Sequence, residues 1–167
     1  MALYEKDDQQ EEQEETVIAI GALSHDTDYG SVAVSGGFDP VHTGHVALFK
    51  EAAEIGSQLT VILNCDDWLQ RKKGKHFMNE NDRAEILQAF EVIDEVFIDY
   101  SEEKHIADAL RQINPDVFAN GGDRKDETEI PDAEIKTAKK FGIKLVFGVG
   151  GDKKRSSSEL LQNYCKS

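Results

Sequence analysis

The sequence is poor in the residues that staple, kink or anchor a chain. Among 167 residues there are two cysteines, three prolines, two methionines and one tryptophan. Cys65 and Cys165 are far apart and match no CxxC metal spacing, so free thiols in a reducing compartment are expected. Cys65 ends an apolar run, a place where cysteine packs rather than reacts. No stretch approaches the roughly 20 apolar residues of a membrane span. The opening "MALYEKDDQQEEQEE" is acidic and polar, the reverse of a signal or transit peptide, so a cytoplasmic home is expected. Positive charge is scarce as well: 19 Lys and Arg stand against 33 Asp and Glu, a formal net charge of -14. Residues 4–16 carry -6 of it and the remainder -8. Such a body does not bind nucleic acid through its phosphates non-specifically. "RKKGK" (Arg71–Lys75) and "KKR" (Lys153–Arg155) are local exceptions, and they leave room for a small anionic substrate.

The length suits one domain, and 39% hydrophobic with 31% charged residues fits a soluble globular one. Residues 1–15 offer too little apolar surface to offset the entropy of ordering and are expected to be a disordered acidic tail. Residues 16–30, beginning "TVIAIGAL", read as an N-terminal arm or an extra strand. From residue 31 to 167 a regular alternation sets in. Strands are expected at Ser31–Gly36, Gln58–Asn64, Glu95–Tyr100, Asp116–Asn120 and Ile143–Val149. Helices are expected at His45–Ile55, Asp82–Phe90, Lys104–Ile113, Asp132–Phe141 and Ser157–Tyr164. Pro131 and Gly142 stand where a helix starts and stops, and Ser156 with Glu159 forms a capping box. The strands are short, β-branched and continuously apolar, as in a parallel sheet covered on both faces. The expected fold is therefore α/β: a Rossmann-like, doubly wound parallel sheet of about five strands. Ligands of such sheets bind at the C-terminal strand edge beside the switch point, which directs attention to the segments just after strands.

The first of these is "GGFDPVHTGH" (Gly36–His45). It is neither a Walker A loop nor GxGxxG. It places glycines where backbone can approach a phosphate and a helix start where an anion is attracted. His42 and His45 flank that start, and imidazole N–H groups there can stabilise charge growing on phosphate oxygens. A zinc pair is disfavoured, since no third ligand is evident. The stretch fills every specified position of GFDxxHxGH with Gly37, Phe38, Asp39, His42, Gly44 and His45, and so resembles the cytidylyltransferase-like nucleotidyltransferase superfamily. The resemblance implies transfer of a nucleotide monophosphate to a phosphorylated acceptor, release of pyrophosphate, a magnesium ion accompanying the triphosphate, and a homodimer. It implies catalytic roles for His42 and His45 and nucleotide contacts from Gly37, Phe38, Asp39 and Gly44, although Asp39 also reads as a turn-organising residue. It places a phosphate-binding lysine in "RKKGKHFMNENDR", either Lys72 or Lys75, and matches Arg83 to an arginine opening the next helix.

Two further segments complete the expected site. "NPDVFANGGDR" resembles the corresponding stretch of heptose 1-phosphate adenylyltransferases, with Gly121 and Gly122 close to the nucleotide and Asp123 accepting from sugar or base. "GGDKKRSSSELL" resembles the superfamily's Ser/Thr signature at a helix start, with Ser156, Ser157 and Ser158 holding phosphate oxygens. One departure bears on the substrate: glycerol-3-phosphate cytidylyltransferases carry an arginine where direct alignment puts Gly151, with Lys154 or Arg155 as possible substitutes. The expected reaction thus joins NMP from ATP or CTP to a phosphorylated sugar or polyol. An adenylyltransferase for a cofactor precursor (FMN, nicotinamide mononucleotide or phosphopantetheine) and a non-catalytic nucleotide-binding module are the alternatives.

Overall fold

The computed structural model describes residues 16–24, 26–152 and 155–165; the expected acidic tail and Lys153–Lys154 lie outside them. Strand β1 (Val17–Ala19) is followed by β2 (Ser31–Gly36), helix α1 (Thr43–Ala53), β3 (Gln58–Asn64), α2 (Asp66–Lys73), α3 (Glu80–Gln88) and β4 (Glu95–Asp99). Then come α4 (Ala107–Ile113), β5 (Val117–Gly121), α5 (Asp132–Phe141), β6 (Lys144–Val149) and α6 (Ser157–Cys165). The strands form one sheet in the order β1-β6-β5-β2-β3-β4, with every pair parallel. The sheet has six strands rather than about five, because the N-terminal arm adds β1 beside β6 with Val17 opposite Leu145. Among the described residues no helix is long and apolar enough to cross a membrane.

Side-chain alternation along each strand divides the core in two. Val32, Val34, Leu59, Val61 and Leu63 point to the face covered by Leu48, Phe49 and Ala52 of α1 and by Ala84 and Leu87 of α3. Ala33, Ile62, Phe118, Leu145 and Phe147 point to the opposite face, under Ala109 and Leu110 of α4 and Ala138 of α5. Both faces being dry explains the continuously apolar strands. Helix α5 runs from Pro131 at its N-cap to Gly142, whose φ of 71° closes the helix as its sequence requires.

One helix goes unforeseen in the sequence. No helix is expected between Asn64 and Asp82, yet Asp66–Lys73 folds as α2. Asp66 and Asp67 occupy its first turn, and Arg71, Lys72 and Lys73 its last, which complements the helix dipole at both ends. Gly74, at φ 76°, stops it.

The switch point lies between β2 and β5, where successive connections leave in opposite directions. These strands pair only at Val32–Val117 and Ala33–Phe118 and then part, which opens a crevice at their C-terminal ends. Below the crevice, Asp116 ties the strands together by accepting hydrogen bonds from the Ser31 hydroxyl (2.7 Å) and the Ser31 amide (2.8 Å). Those bonds hold the Asp116 carboxyl below its ordinary range. A carboxylate whose folded pKa is depressed contributes stability above its unfolded pKa, about 3.9, and loses it as pH falls through the lower folded value. Asp116→Asn is therefore expected to cost about 0.5 kcal/mol at neutral pH, discounted for the group's exposure. Urea melts of parent and variant should converge as the pH drops below the carboxylate range.

Candidate active site

Residues 37–42 carry the chain from β2 into α1, and packing dictates their small size at the start. A Cβ on Gly37 would sit 2.8 Å from Leu69 Cδ2 of α2, and one on Gly36 would sit 3.0 Å from Phe38 Cζ. Phe38 takes the left-handed region at φ 47°, an uncommon conformation for a bulky residue. Its ring is buried against Phe49, with centroids 5.1 Å apart, and meets His45 edge-on at 4.9 Å. Phe38 thus braces one of the two histidines.

His42 is the N-cap of α1, and its Nδ1 accepts the Gly44 amide hydrogen at 3.1 Å. His45 Nδ1 accepts the His42 amide hydrogen at 3.2 Å. The two rings stack with centroids 3.7 Å apart and planes 20° from parallel. A neutral imidazole that accepts at Nδ1 carries its proton on Nε2. The backbone therefore selects one tautomer for both histidines and makes each an Nε2–H donor beside the positive end of α1. Capping the helix and donating to an anion are tasks for opposite edges of the same ring.

Both histidines line a cleft of about 420 Å³ at the switch point. Its other walls are the segments after β5 (Gly121–Asp123) and after β6 (Val149–Asp152), together with Lys73, Arg155 and the start of α6. The two glycine segments meet backbone to backbone: a Cβ on Gly122 would fall 1.6 Å from the Gly151 carbonyl oxygen. Gly150, at φ 82°, lies against α1, where its amide donates to the Glu51 carboxylate. The serines divide their work. The buried Ser157 hydroxyl donates to the Pro40 carbonyl at 2.9 Å and ties α6 to the histidine loop. Ser156 Oγ accepts from the Glu159 amide at 3.5 Å, the first arm of the expected capping box. All three serines line the cleft, with Arg155 just before them. Lys154 lies outside the described residues.

The basic segment and its arginine are placed differently from the sequence reading. On α2, consecutive residues diverge by the helical turn. Lys73, not singled out in the sequence, lines the cleft, whereas Lys72 lies over the Trp68 ring at 4.5 Å. Lys75, beyond Gly74, is exposed and does not line this cleft. Burial, then the Arg124 and Lys73 charges, lower the Lys72 pKa from its ordinary value. Arg83 is fully buried and is absent from the cleft wall. Its guanidinium donates to the carbonyls of Gly37 (2.7 Å), Asn64 (2.8 Å) and Met78 (3.0 Å) and to Asp66 Oδ1 (2.6 Å). Asp39 is buried too, and its two oxygens accept the amides of Phe77 (2.6 Å) and Met78 (2.8 Å). Both side chains are engaged in holding the histidine loop, which for Asp39 agrees with its reading as a turn-organising residue. The acidic start and basic end of "DDWLQRKK" could have revealed α2, and with it Lys73; nothing local marks the burial of Arg83.

Arg83→Ala should destabilise the fold by about 3–5 kcal/mol, the usual cost of stripping one partner from a buried charged network. Urea denaturation measures this, and Arg83→Lys should recover only part of it, since an ammonium does not reproduce the planar fork. Gly122→Ala should push the β5 and β6 loops apart and abolish nucleotide binding by calorimetry while leaving secondary structure intact by circular dichroism.

Comparison with known proteins agrees with this geometry. The family model described as "Cytidylyltransferase-like" matches residues 33–161. The chain is 36% identical over 107 residues to an FAD synthase of Thermococcus sibiricus, spanning 63% of this chain and 71% of that protein. It is 30% identical over 150 residues to an FAD synthase of Thermococcus onnurineus, spanning 81% and 93%. It is also 35% identical over 108 residues to the bifunctional protein HldE of Methylobacillus flagellatus, spanning 64% of this chain and 22% of that one. Among solved structures, a lipopolysaccharide core biosynthesis protein of Thermoplasma volcanium superposes with a TM-score of 0.59 at 26% identity, over 71% of this chain and 94% of that one. With the histidine-capped helix, the paired glycine segments and the serine-headed α6 all at one switch-point cleft, the chain belongs to the cytidylyltransferase-like family and is a nucleotidyltransferase.

Proposed function

We propose that the chain is an adenylyltransferase that joins AMP from ATP to FMN, forming FAD and pyrophosphate. The observation that carries this reading is the 150-residue similarity to an FAD synthase, which spans 93% of that relative. It reverses the order expected from sequence, where a sugar or polyol phosphate came first. Sugar-phosphate transfer stays as the second reading because "NPDVFANGGDR" resembles the corresponding stretch of heptose 1-phosphate adenylyltransferases.

In this mechanism an FMN phosphate oxygen attacks the α-phosphorus of ATP. The bond from the α-phosphorus to its bridging oxygen breaks, and pyrophosphate leaves with the electron pair. No protein nucleophile is needed, so the protein's contribution is positioning and charge neutralisation. His42 and His45 donate Nε2–H to the phosphate oxygens on which charge grows. The Ser156–Ser158 start of α6 holds the remaining phosphates. Lys73 and Arg155, which both line the cleft, neutralise charge. Gly121, Gly122 and Asp123 form the wall beside the nucleoside. Magnesium needs only one or two carboxylates beside phosphate oxygens and water. Asp123 and Asp152 line the cleft and would hold it, and the ion would add neutralisation of the triphosphate. The homodimer implied by the family resemblance belongs to this proposal as well.

A pyrophosphate-release screen should give turnover with ATP and FMN and far less with CTP or with sugar 1-phosphates. Turnover confined to a sugar phosphate would overturn the FMN assignment in favour of the second reading. His45→Ala should lose about 10²–10³ in kcat and about 1 kcal/mol of stability through the lost helix-start hydrogen bond. Unchanged kcat in a folded variant would remove His45 from catalysis.

A further inference from the structure

A second cavity, of about 310 Å³, opens beside the nucleotide cleft and shares Gly37 and Lys73 with it. Ligand pockets begin at roughly this size. Its walls come from the ends of β2 and β3, from α2, from the loop before α4 and from the start of α5. Three side chains in these walls have buried polar atoms with no hydrogen-bond partner: Asn64 Oδ1, Trp68 Nε1 and Glu134 Oε2. A buried polar atom left without a partner keeps its full desolvation penalty, and native structures hold few of them. Three in one cavity wall, beside a reaction centre, point to a ligand that completes them.

Glu134 is the least expected of the three. It lies at the start of α5 and is 4% exposed. Its Oε1 accepts the Ile106 amide at 3.1 Å, so the carboxyl is held in a fixed orientation. Burial raises its pKa above the ordinary value, against the opposing pull of the Ile106 bond and of Arg124, His105 and Lys72. Arg124 is steered to the same cavity by Asn120, whose Oδ1 accepts from its Nη1 at 3.2 Å. Lys72 covers Trp68 within the same walls. The cavity therefore combines cations suited to a phosphomonoester with orphaned groups suited to a polar body: two oxygens that need donors and one N–H that needs an acceptor.

We infer that this cavity is where the acceptor substrate sits, and that Glu134, Asn64 and Trp68 are its specificity-determining residues. They select a phosphomonoester whose body presents an N–H or O–H donor next to an oxygen acceptor. The imide edge of a flavin and the vicinal hydroxyls of a sugar share that chemistry. The inference rests on the nucleotidyl-transfer reading but not on the choice of FMN. The shared residues Gly37 and Lys73 are where the acceptor phosphate would meet the nucleotide's α-phosphorus.

The test uses the full chain with ATP present. FMN and a sugar 1-phosphate are each titrated by calorimetry into the parent, Glu134→Gln and Trp68→Phe, and KM and kcat are measured for whichever acceptor turns over. Glu134→Gln keeps the volume and the Ile106 bond; Trp68→Phe removes only the indole N–H and part of the ring. The expected result is that each variant weakens acceptor binding and raises acceptor KM by about tenfold, equivalent to about 1.4 kcal/mol. ATP affinity and the thermal midpoint should hardly move. If the parent binds a sugar phosphate but not FMN, and the variants weaken that binding, the subsite stands and the FAD reading falls. If FMN binds and reacts equally in parent and variants, the FAD reading stands and the subsite falls. A parent that binds neither acceptor, or variants whose ATP affinity drops in parallel, also overturns the subsite.

Discussion

The buried guanidinium of Arg83 is the interaction on which the site's shape depends. One planar fork joins the loop after β2, the end of β3, the first turn of α2 and the segment leading into α3 through Gly37, Asn64, Asp66 and Met78. A buried guanidinium is costly unless its donors are satisfied, so these four segments are fixed relative to one another. Asp39 works in the same place with the opposite polarity, drawing the Phe77 and Met78 amides onto the loop. Between the two, the loop that delivers His42 to α1 has little freedom. A histidine pair can then be both helix cap and anion donor, because the backbone has already taken each Nδ1.

The second constraint is electrostatic. The chain carries a net charge of -14 and yet acts on anions. The fold reconciles the two by concentrating donors rather than by changing the overall balance. Lys73, Arg155, Ser156–Ser158 and the two histidines line the crevice that opens where β2 and β5 part. Lys72, Arg124 and Lys104 gather in the adjoining cavity.

Much of the frame was legible in sequence. The spans of β2, β3 and α5 agree residue for residue with the expected ones, because continuous β-branched runs and a Pro-to-Gly bracket are local signals. The histidine motif was legible for the same reason: its residues are contiguous and sit between a strand and a helix. Helix α2 was missed since its eight residues bury Leu69 alone, and an amphipathic period cannot show in so polar a segment. Arg83 and Asp39 were expected at the nucleotide because charged residues near a phosphate motif invite that reading. Their burial is a property of the surrounding elements and not of their neighbours in sequence.

By itself, then, the sequence determined the alternation of strands and helices, the dryness of both sheet faces and the chemistry of the loop at Gly36–His45. Each of these rests on periodicity or on adjacent residues. Only the tertiary structure decided that β1 would complete the sheet, that Lys73 would face the cleft and Lys72 would not, and that Asn64, Trp68 and Glu134 would be brought together with polar atoms unpartnered. Those outcomes depend on helix phase and on contacts between segments far apart in the chain, and a linear pattern carries neither.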